Sequence, residues 1–352
     1  MLRLLLFTLI FWSLIVYGFA DASDDFLFTV QRDGQEAGSG FLIHERGKSW
    51  LVSNRHVVEG DAQVLFAGML DSTRTFVLPE RVQIASNRDA VRFRVDLPDG
   101  FSLGDDCSFD EEVFAFGNSD GKGVITKSAG KVVGKGRGEI EITCDIIPGN
   151  SGGPVINEDD EVVGLATDLI EPPSGHDPEG GQFLNNLNVI EGTRYEETRR
   201  FAVPLHDAKW QEVDLATFQS ESMQAGELFE LCDQFFNTLV RICLHYPLIE
   251  GNGEIQSPSW IRSYNRKLEK YGYYSRSSQR YIIRSGKQDS MDRALQNWLE
   301  DLSEKGEEMS ESLREEAEDF VVKYYQMALL ERADDLEDTA RELLELAEDD
   351  QR

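Results

Sequence analysis

Pro148-Gly149-Asn150-Ser151-Gly152-Gly153-Pro154 sets one serine among glycines, a setting that suits a nucleophile. Attack on a carbonyl by serine needs a hydroxyl on a tight turn and backbone N–H groups free to bind the developing oxyanion. A glycine ahead of the serine permits the backbone twist of such a turn. The N–H groups of Gly149 and Ser151 are therefore the expected oxyanion donors, and one such donor contributes about 10²- to 10³-fold in rate. Gly152 and Gly153 leave the approach to Ser151 open. A bare Gly-x-Ser-x-Gly is common by chance; this longer string between two strand-like runs is far more specific.

A serine hydroxyl at its ordinary pKa is a poor nucleophile and needs a base within hydrogen-bond reach. Only five histidines are present. His56 follows Trp50-Leu51-Val52-Ser53-Asn54-Arg55, where a strand enters a turn, and such a position can project a side chain into a cleft. His44, His176, His206 and His245 have no comparable setting. The base in turn needs a carboxylate that fixes its tautomer and stabilises the imidazolium. Asp89 leads the alternating strand Ala90-Val91-Arg92-Phe93-Arg94-Val95, whereas its rival Asp96 follows that strand. An aspartate at a strand's mouth more often caps a turn. The order His, Asp, Ser is nevertheless one of the known chain orders for a triad.

The elements that must hold these residues read as two kinds. From Phe26 to about Val203, short strands separated by Gly, Asp and Asn turns predict a barrel or sandwich. Residues 171–200 read as a long polar loop, and Phe201 to Leu205 as a closing strand. After about Trp210 the periodicity becomes helical. Leu313, Ala317, Phe320 and Tyr324, then Leu329, Ala333, Leu336, Ala340, Leu343 and Ala347, form a narrow apolar stripe opposite a strongly acidic face. That stripe suits packing within its own domain or coiled-coil self-association.

Among 352 residues, 35 Lys and Arg stand against 65 Asp and Glu, a formal net charge of −30. So acidic a chain repels nucleic acid and anionic lipid. Arg3, the apolar run Leu4 to Tyr17 and the small residues Gly18, Ala20 and Ala22 predict a signal peptide over 1–22. The run is short for a spanning helix, which needs about 20 apolar residues. Left uncleaved, it would tether the protein to a membrane. The domains expected are thus 1–22, a β domain at 23–210 and a helical acidic domain at 211–352, exported to a periplasmic or extracellular location. Export permits disulfides among Cys107, Cys144, Cys232 and Cys243. On an unbroken helix Cys232 and Cys243 lie about 16 Å apart, too far to bridge, and a Cys107–Cys144 bond is left open.

The stretch Gly38–Val203 resembles trypsin-like serine peptidases of the HtrA/Deg type. The resemblance rests on Ser39-Gly40-Phe41-Leu42-Ile43, Ser53-Asn54-Arg55-His56-Val57-Val58, Asp89-Ala90-Val91, Val113-Phe114-Ala115-Phe116-Gly117-Asn118, Pro148 to Pro154, and Phe201-Ala202-Val203-Pro204. It implies two six-stranded β-barrels with His56, Asp89 and Ser151 in the cleft between them, and no metal or organic cofactor. It also implies a specificity pocket based on Asp145, six residues before the serine. An aspartate there could favour Lys or Arg before the scissile bond, yet Ile146, Ile147 and Pro148 follow the family's apolar arrangement, and Asp145 could equally cap a turn. Arg55 departs from the small residue usual beside the histidine, and no PDZ-like segment is recognisable after the barrels. The expected activity is that of a serine endopeptidase acting on protein or unfolded polypeptide through an acyl-enzyme. The competing reading is a latent or inactive protease fold that works as a binding module through its helical domain.

Overall fold

The computed structural model describes residues 25–136, 138–170, 198–249, 270–275 and 280–349. The proposed leader over 1–22, His176 and most of the polar loop at 171–200 lie outside these residues, as does the side chain of Cys243. The chain divides into two compact units, one holding the β-rich residues to Ile170 plus Thr198–Ser220, the other holding the described residues from Glu221 onward.

In the β-rich unit, strands β1 (Leu27–Arg32), β2 (Gln35–Glu45), β3 (Lys48–Ser53), β4 (Val64–Gly68), β5 (Thr75–Val77), β6 (Arg81–Ala85) and β7 (Val91–Val95) share one sheet. A four-residue helix, α1 (Arg55–Val58), follows β3. The second sheet holds β8 (Ser102–Leu103), β9 (Glu112–Asn118), β10 (Ile125–Lys135), β11 (Ile140–Ile142), β12 (Pro154–Asn157), β13 (Glu161–Ile170) and β14 (Arg199–Pro204). Strand β15 (Trp210–Asp214) then returns to pair with β6 in the first sheet. Antiparallel pairing of β12 with both β9 and β13 closes β12-β9-β10-β11-β14-β13 into a six-stranded barrel.

The double-barrel architecture expected is present, with the first sheet a half-barrel of eight strands in the open order β15-β6-β7-β3-β2-β1-β4-β5. Its β5 edge is only three residues long, and Pro79 just beyond has no N–H with which to extend the ladder. Residue 210 is likewise not where helix begins. Trp210 opens β15, which is held because the Arg92 guanidinium stacks between the Trp50 and Trp210 rings, 4.2 Å from each centroid. Alternation along these strands buries one face. One apolar cluster runs from Phe41 and Val52 of the first sheet to Ile156, Leu165 and Val203 of the second, so the two sheets share a core.

In the second unit, residues beyond Ser220 of α2 (Leu215–Ile249) are followed by the hairpin β16 (Gly272–Ser275) and β17 (Arg280–Ile283), then α3 (Gln288–Asp319) and α4 (Lys323–Asp349). The apolar stripe is used inside the chain. Leu313 and Ala317 of α3 are buried with Leu329, Ala333, Leu336, Ala340 and Leu343 of α4, and Tyr324 is half-buried. Small residues let these helices approach: Ser303 and Ser310 donate to the carbonyls of Ala340 and Ala333 at 2.7 and 2.8 Å. Cys107, Cys144 and Cys232 are buried free thiols, so no Cys107–Cys144 bond is present, and burial pushes each thiol pKa up. Among the described residues no helix is long and apolar enough to cross a membrane.

Candidate active site

The sheet register brings His56 to Asp89. Antiparallel pairing of Ser53 with Val91 puts the end of β3 beside the start of β7. His56, one helical turn beyond β3, and Asp89, two residues before β7, must therefore meet. His56 Nδ1 lies 2.6 Å from Asp89 Oδ2, and the His56 backbone N–H donates to Oδ1 at 3.1 Å. Asn54 Nδ2 fixes the loop from below by donating to the Asp89 carbonyl at 2.9 Å.

Two further groups converge on this carboxylate. The Thr167 hydroxyl, on β13, donates to Oδ2 at 3.2 Å. The buried Arg55 guanidinium lies 3.5 Å from Oδ1 and also pairs with Glu59, one turn along. Burial by itself pushes the Asp89 carboxyl up. The hydrogen bonds and charge of His56, with the charge of Arg55, outweigh it and bring the pKa from 3.8 down to about 2. Asp89 is thus an anion at any pH near neutral. The unusual Arg55 sets a cation beside Oδ1 of Asp89, while Oδ2 is left to His56 Nδ1.

The Ser151 turn is built from the second barrel and braced by the first sheet. Asn150 N–H donates to the Ile147 carbonyl at 3.0 Å across a turn with Pro148 in its second place and Gly149 at φ +95° in its third. That is the residue order a type II turn calls for. A Cβ on Gly149 would sit 2.2 Å from the Asn118 carbonyl oxygen, so only glycine fits. The Pro148 carbonyl accepts from Asp120 N–H at 2.8 Å, and the Asn150 carbonyl accepts from Gly153 N–H at 2.8 Å. A planar trans peptide points its N–H opposite its carbonyl. The N–H groups of Gly149 and Ser151 consequently face away from these anchors, and neither donates to a protein acceptor among the described residues.

Ser39, on β2, locks this arrangement. Its N–H donates to the Ser151 carbonyl and its hydroxyl to the Gly149 carbonyl, each at 2.8 Å. The same hydroxyl accepts from Asn118 N–H. Its neighbour Gly38 must lack a side chain, because a Cβ would come within 2.7 Å of the Ser151 carbonyl. Ser151 Oγ itself donates to the Thr167 carbonyl at 3.2 Å, and no hydrogen bond joins it to His56. Thr167 therefore touches both sides: its hydroxyl holds Asp89 and its carbonyl holds Ser151.

Of the residues foreseen from the sequence, His56 and Asp89 are in contact, and Gly149 and Ser151 share one turn. Asp145 is well exposed, with Oδ1 2.6 Å from Arg200, and Ile147 is half-buried at the first position of the Gly149 turn. Thr167 and Ser39 were not foreseen as site residues. Ser39 is marked in the sequence only by its place in the string from Gly38 to Ile43, and Thr167 carries no signal outside the β12–β13 pairing.

Residues 38–165 match the family profile of the trypsin-like peptidase domain. Over that stretch the chain is similar to a trypsin-like peptidase domain. A probable periplasmic serine endoprotease DegP-like of Pseudomonas fulva is 33% identical over 158 residues, covering 41% of this chain and 32% of that protein. The corresponding Chlamydia muridarum protein is 29% identical over 158 residues, covering 42% and 31%. Protease Do-like 1, chloroplastic, of Arabidopsis thaliana is 29% identical over 166 residues, covering 42% and 37%. The chain spans about a third of the length of these relatives. Among solved structures, the serine endoprotease from Yersinia pestis superposes with a TM-score of 0.37 at 20% identity, over 52% of this chain and 59% of that one.

Proposed function

We propose that this protein is an exported serine endopeptidase in which Ser151 is the nucleophile, His56 the general base and Asp89 its orienting anion. The observation that carries the proposal is the pair of unsatisfied N–H groups at Gly149 and Ser151, held beside the His56–Asp89 contact. In the reaction, Ser151 Oγ turns from the Thr167 carbonyl toward His56 Nε2, gives up its proton and attacks the scissile carbonyl. Such contacts are commonly loose until substrate is bound. The oxyanion takes the N–H groups of Gly149 and Ser151, and Asp89 stabilises the imidazolium. His56 then protonates the leaving amine, and water hydrolyses the acyl-enzyme by the same route in reverse. The substrates proposed are proteins or unfolded polypeptides, and the relatives named as periplasmic, together with the signal peptide expected over 1–22, support export.

The engagement of Ser151 Oγ with Thr167 instead of His56 favours a second reading, a latent enzyme that a partner must switch on. Fluorophosphonate labelling of the full-length mature protein, followed by intact mass, separates the two. Stoichiometric adduct on wild type, absent from Ser151→Ala and His56→Ala, is the result expected of a competent peptidase. A folded wild type that takes no adduct would leave the latent form as the reading.

A further inference from the structure

The peptidase reading leaves the Asp145–Arg200 pair without a role. We infer that Arg200 selects the residue before the scissile bond, favouring an acidic side chain, Glu above all, over Lys or Arg. This rests on the peptidase function proposed above.

The strand register places Arg200 at the right point. Strand β13 touches the Ser151 turn through Ala166, whose carbonyl accepts from Gly152 N–H, and through Thr167, whose carbonyl accepts from Ser151 Oγ. Two residues farther along β13, Leu169 is the partner of Arg200 on β14, and Arg200 also pairs with Ile142 of β11. Two residues of strand measure at most about 7 Å, and a bulge between Ala166 and Leu169 shortens the span. From the other side, the segment that leads to Ser151 begins at Asp145, the very carboxylate Arg200 holds. A substrate side chain next to a carbonyl at Ser151 would thus enter a site bounded by the 145–151 segment, by β13 and by Arg200.

Within that site the two charges are unequal. The Arg200 side chain is 24% exposed and rises from a strand paired on both edges, whereas the Asp145 side chain is 70% exposed. So exposed an ion pair contributes little, and the carboxylate is free to turn into water. Arg200 has donors to spare. One terminal nitrogen reaches Asp145, the other makes a long 3.5 Å contact with the Thr198 carbonyl, and Nε is buried with no hydrogen-bond partner. A buried N–H in that state is costly unless something satisfies it. A substrate carboxylate can bind the guanidinium fork bidentately, which an ammonium cannot. The adjacent Arg199 does not compete, because successive strand residues face opposite ways and Glu141 already holds its Nε and one terminal nitrogen at 2.7 Å. Asp145 alone could favour Lys or Arg, as one of the alternatives the sequence left open; with Arg200 beside it the pair presents no net negative charge to a lysine.

The test uses the full-length protein and matched peptides that differ only in the residue before the scissile bond: Glu, Gln, Leu or Lys. Wild type should cleave the Glu peptide at least roughly tenfold faster in kcat/KM than the Lys peptide. Arg200→Gln should lower the Glu-to-Lys ratio by about 10- to 100-fold, the worth of a charge-assisted hydrogen bond. Asp145→Asn should raise the Glu rate, and Arg200→Lys should retain part of the preference. Fluorophosphonate labelling of each variant serves as the control for folding and for the Ser151 machinery. Normal labelling with Lys cleaved as well as Glu, or with an unchanged ratio in Arg200→Gln, overturns the assignment alone. Failure of wild type to label and to cleave any peptide overturns the peptidase reading and this assignment with it.

Discussion

Replacing Asp89 by Asn tests the proposed mechanism most directly, because the structure dictates which way the amide must lie. Oδ1 faces two groups that can only donate, the His56 backbone N–H at 3.1 Å and Arg55 at 3.5 Å. The amide oxygen must take that place, which puts the NH₂ where Oδ2 meets His56 Nδ1 at 2.6 Å. An N–H donor there obliges Nδ1 to accept, so the ring's proton moves to Nε2. His56 can then no longer take a proton from Ser151. The expected loss is about 10⁴-fold in kcat with geometry retained, the magnitude known for the same exchange in a Ser-His-Asp enzyme. The Thr167 hydroxyl can rotate to accept from the new NH₂, so the site need not collapse.

The same variant reads out stability. A carboxyl held at about 2 against an ordinary 3.8 stabilises the folded state by on the order of 2 kcal/mol at neutral pH. In a domain of this size that is about 4–8 °C in Tm. The sign follows from the depressed pKa: the contribution is complete above pH 3.8 and is lost as pH falls toward 2. Urea unfolding of wild type and Asp89→Asn at pH 7, 4 and 3 should show a difference that narrows with acid. Activity within tenfold of wild type, or a stability difference independent of pH, would refute the reasoning.

Gly149→Ala should abolish most of the activity. The side chain meets the Asn118 carbonyl and φ +95° is disfavoured, so the turn must rearrange and lose one oxyanion donor, lowering kcat/KM on an unfolded protein by at least about 10²-fold. Thr167→Val removes the hydroxyl from Asp89 while keeping the carbonyl that faces Ser151, and should slow turnover by about 10-fold with KM little changed. Steady-state kinetics would show that split. In the helical unit, Glu221→Ala should cost about 1–3 kcal/mol, read by urea unfolding followed by circular dichroism, because both carboxylate oxygens serve N–H groups at the start of α4.

The parts of this protein legible in the sequence are those fixed by short-range stereochemistry. A turn that needs φ > 0 writes itself as glycine, so Gly149 and Gly152 announce the Ser151 turn. His56 and Asp89 stand at strand ends, where periodicity stops. Thr167 was silent because nothing local marks it: it follows Ala166, whose pairing with the Ser151 turn exists only once β12 and β13 are joined. Arg200 was silent for the same reason, so the sequence offered Asp145 without the cation that pairs with it. Open or closed, the first sheet could not be foreseen either, since closure depends on edges that never meet in the chain.

The helical unit makes the point more sharply, because there a long-range contact breaks an element that periodicity would continue. The apolar stripe passes from Leu313 through Phe320 toward Leu329 with no glycine or proline to interrupt it. Nevertheless Phe320 is extended, at φ −76° and ψ 127°, and α4 starts afresh at Lys323. At the break Glu221, a hundred residues earlier, accepts from the N–H groups of Val321 and Val322 at 2.9 and 2.8 Å. The carboxylate also sits where the helix dipole favours a negative charge. With that cap the two halves fold back, and the stripe that could have joined two chains is instead buried between α3 and α4 of one. Arg55 at the candidate site follows the same logic in reverse. A residue that looked intrusive beside His56 is accommodated because Glu59 and Asp89, one local and one distant, supply the anions that its burial requires.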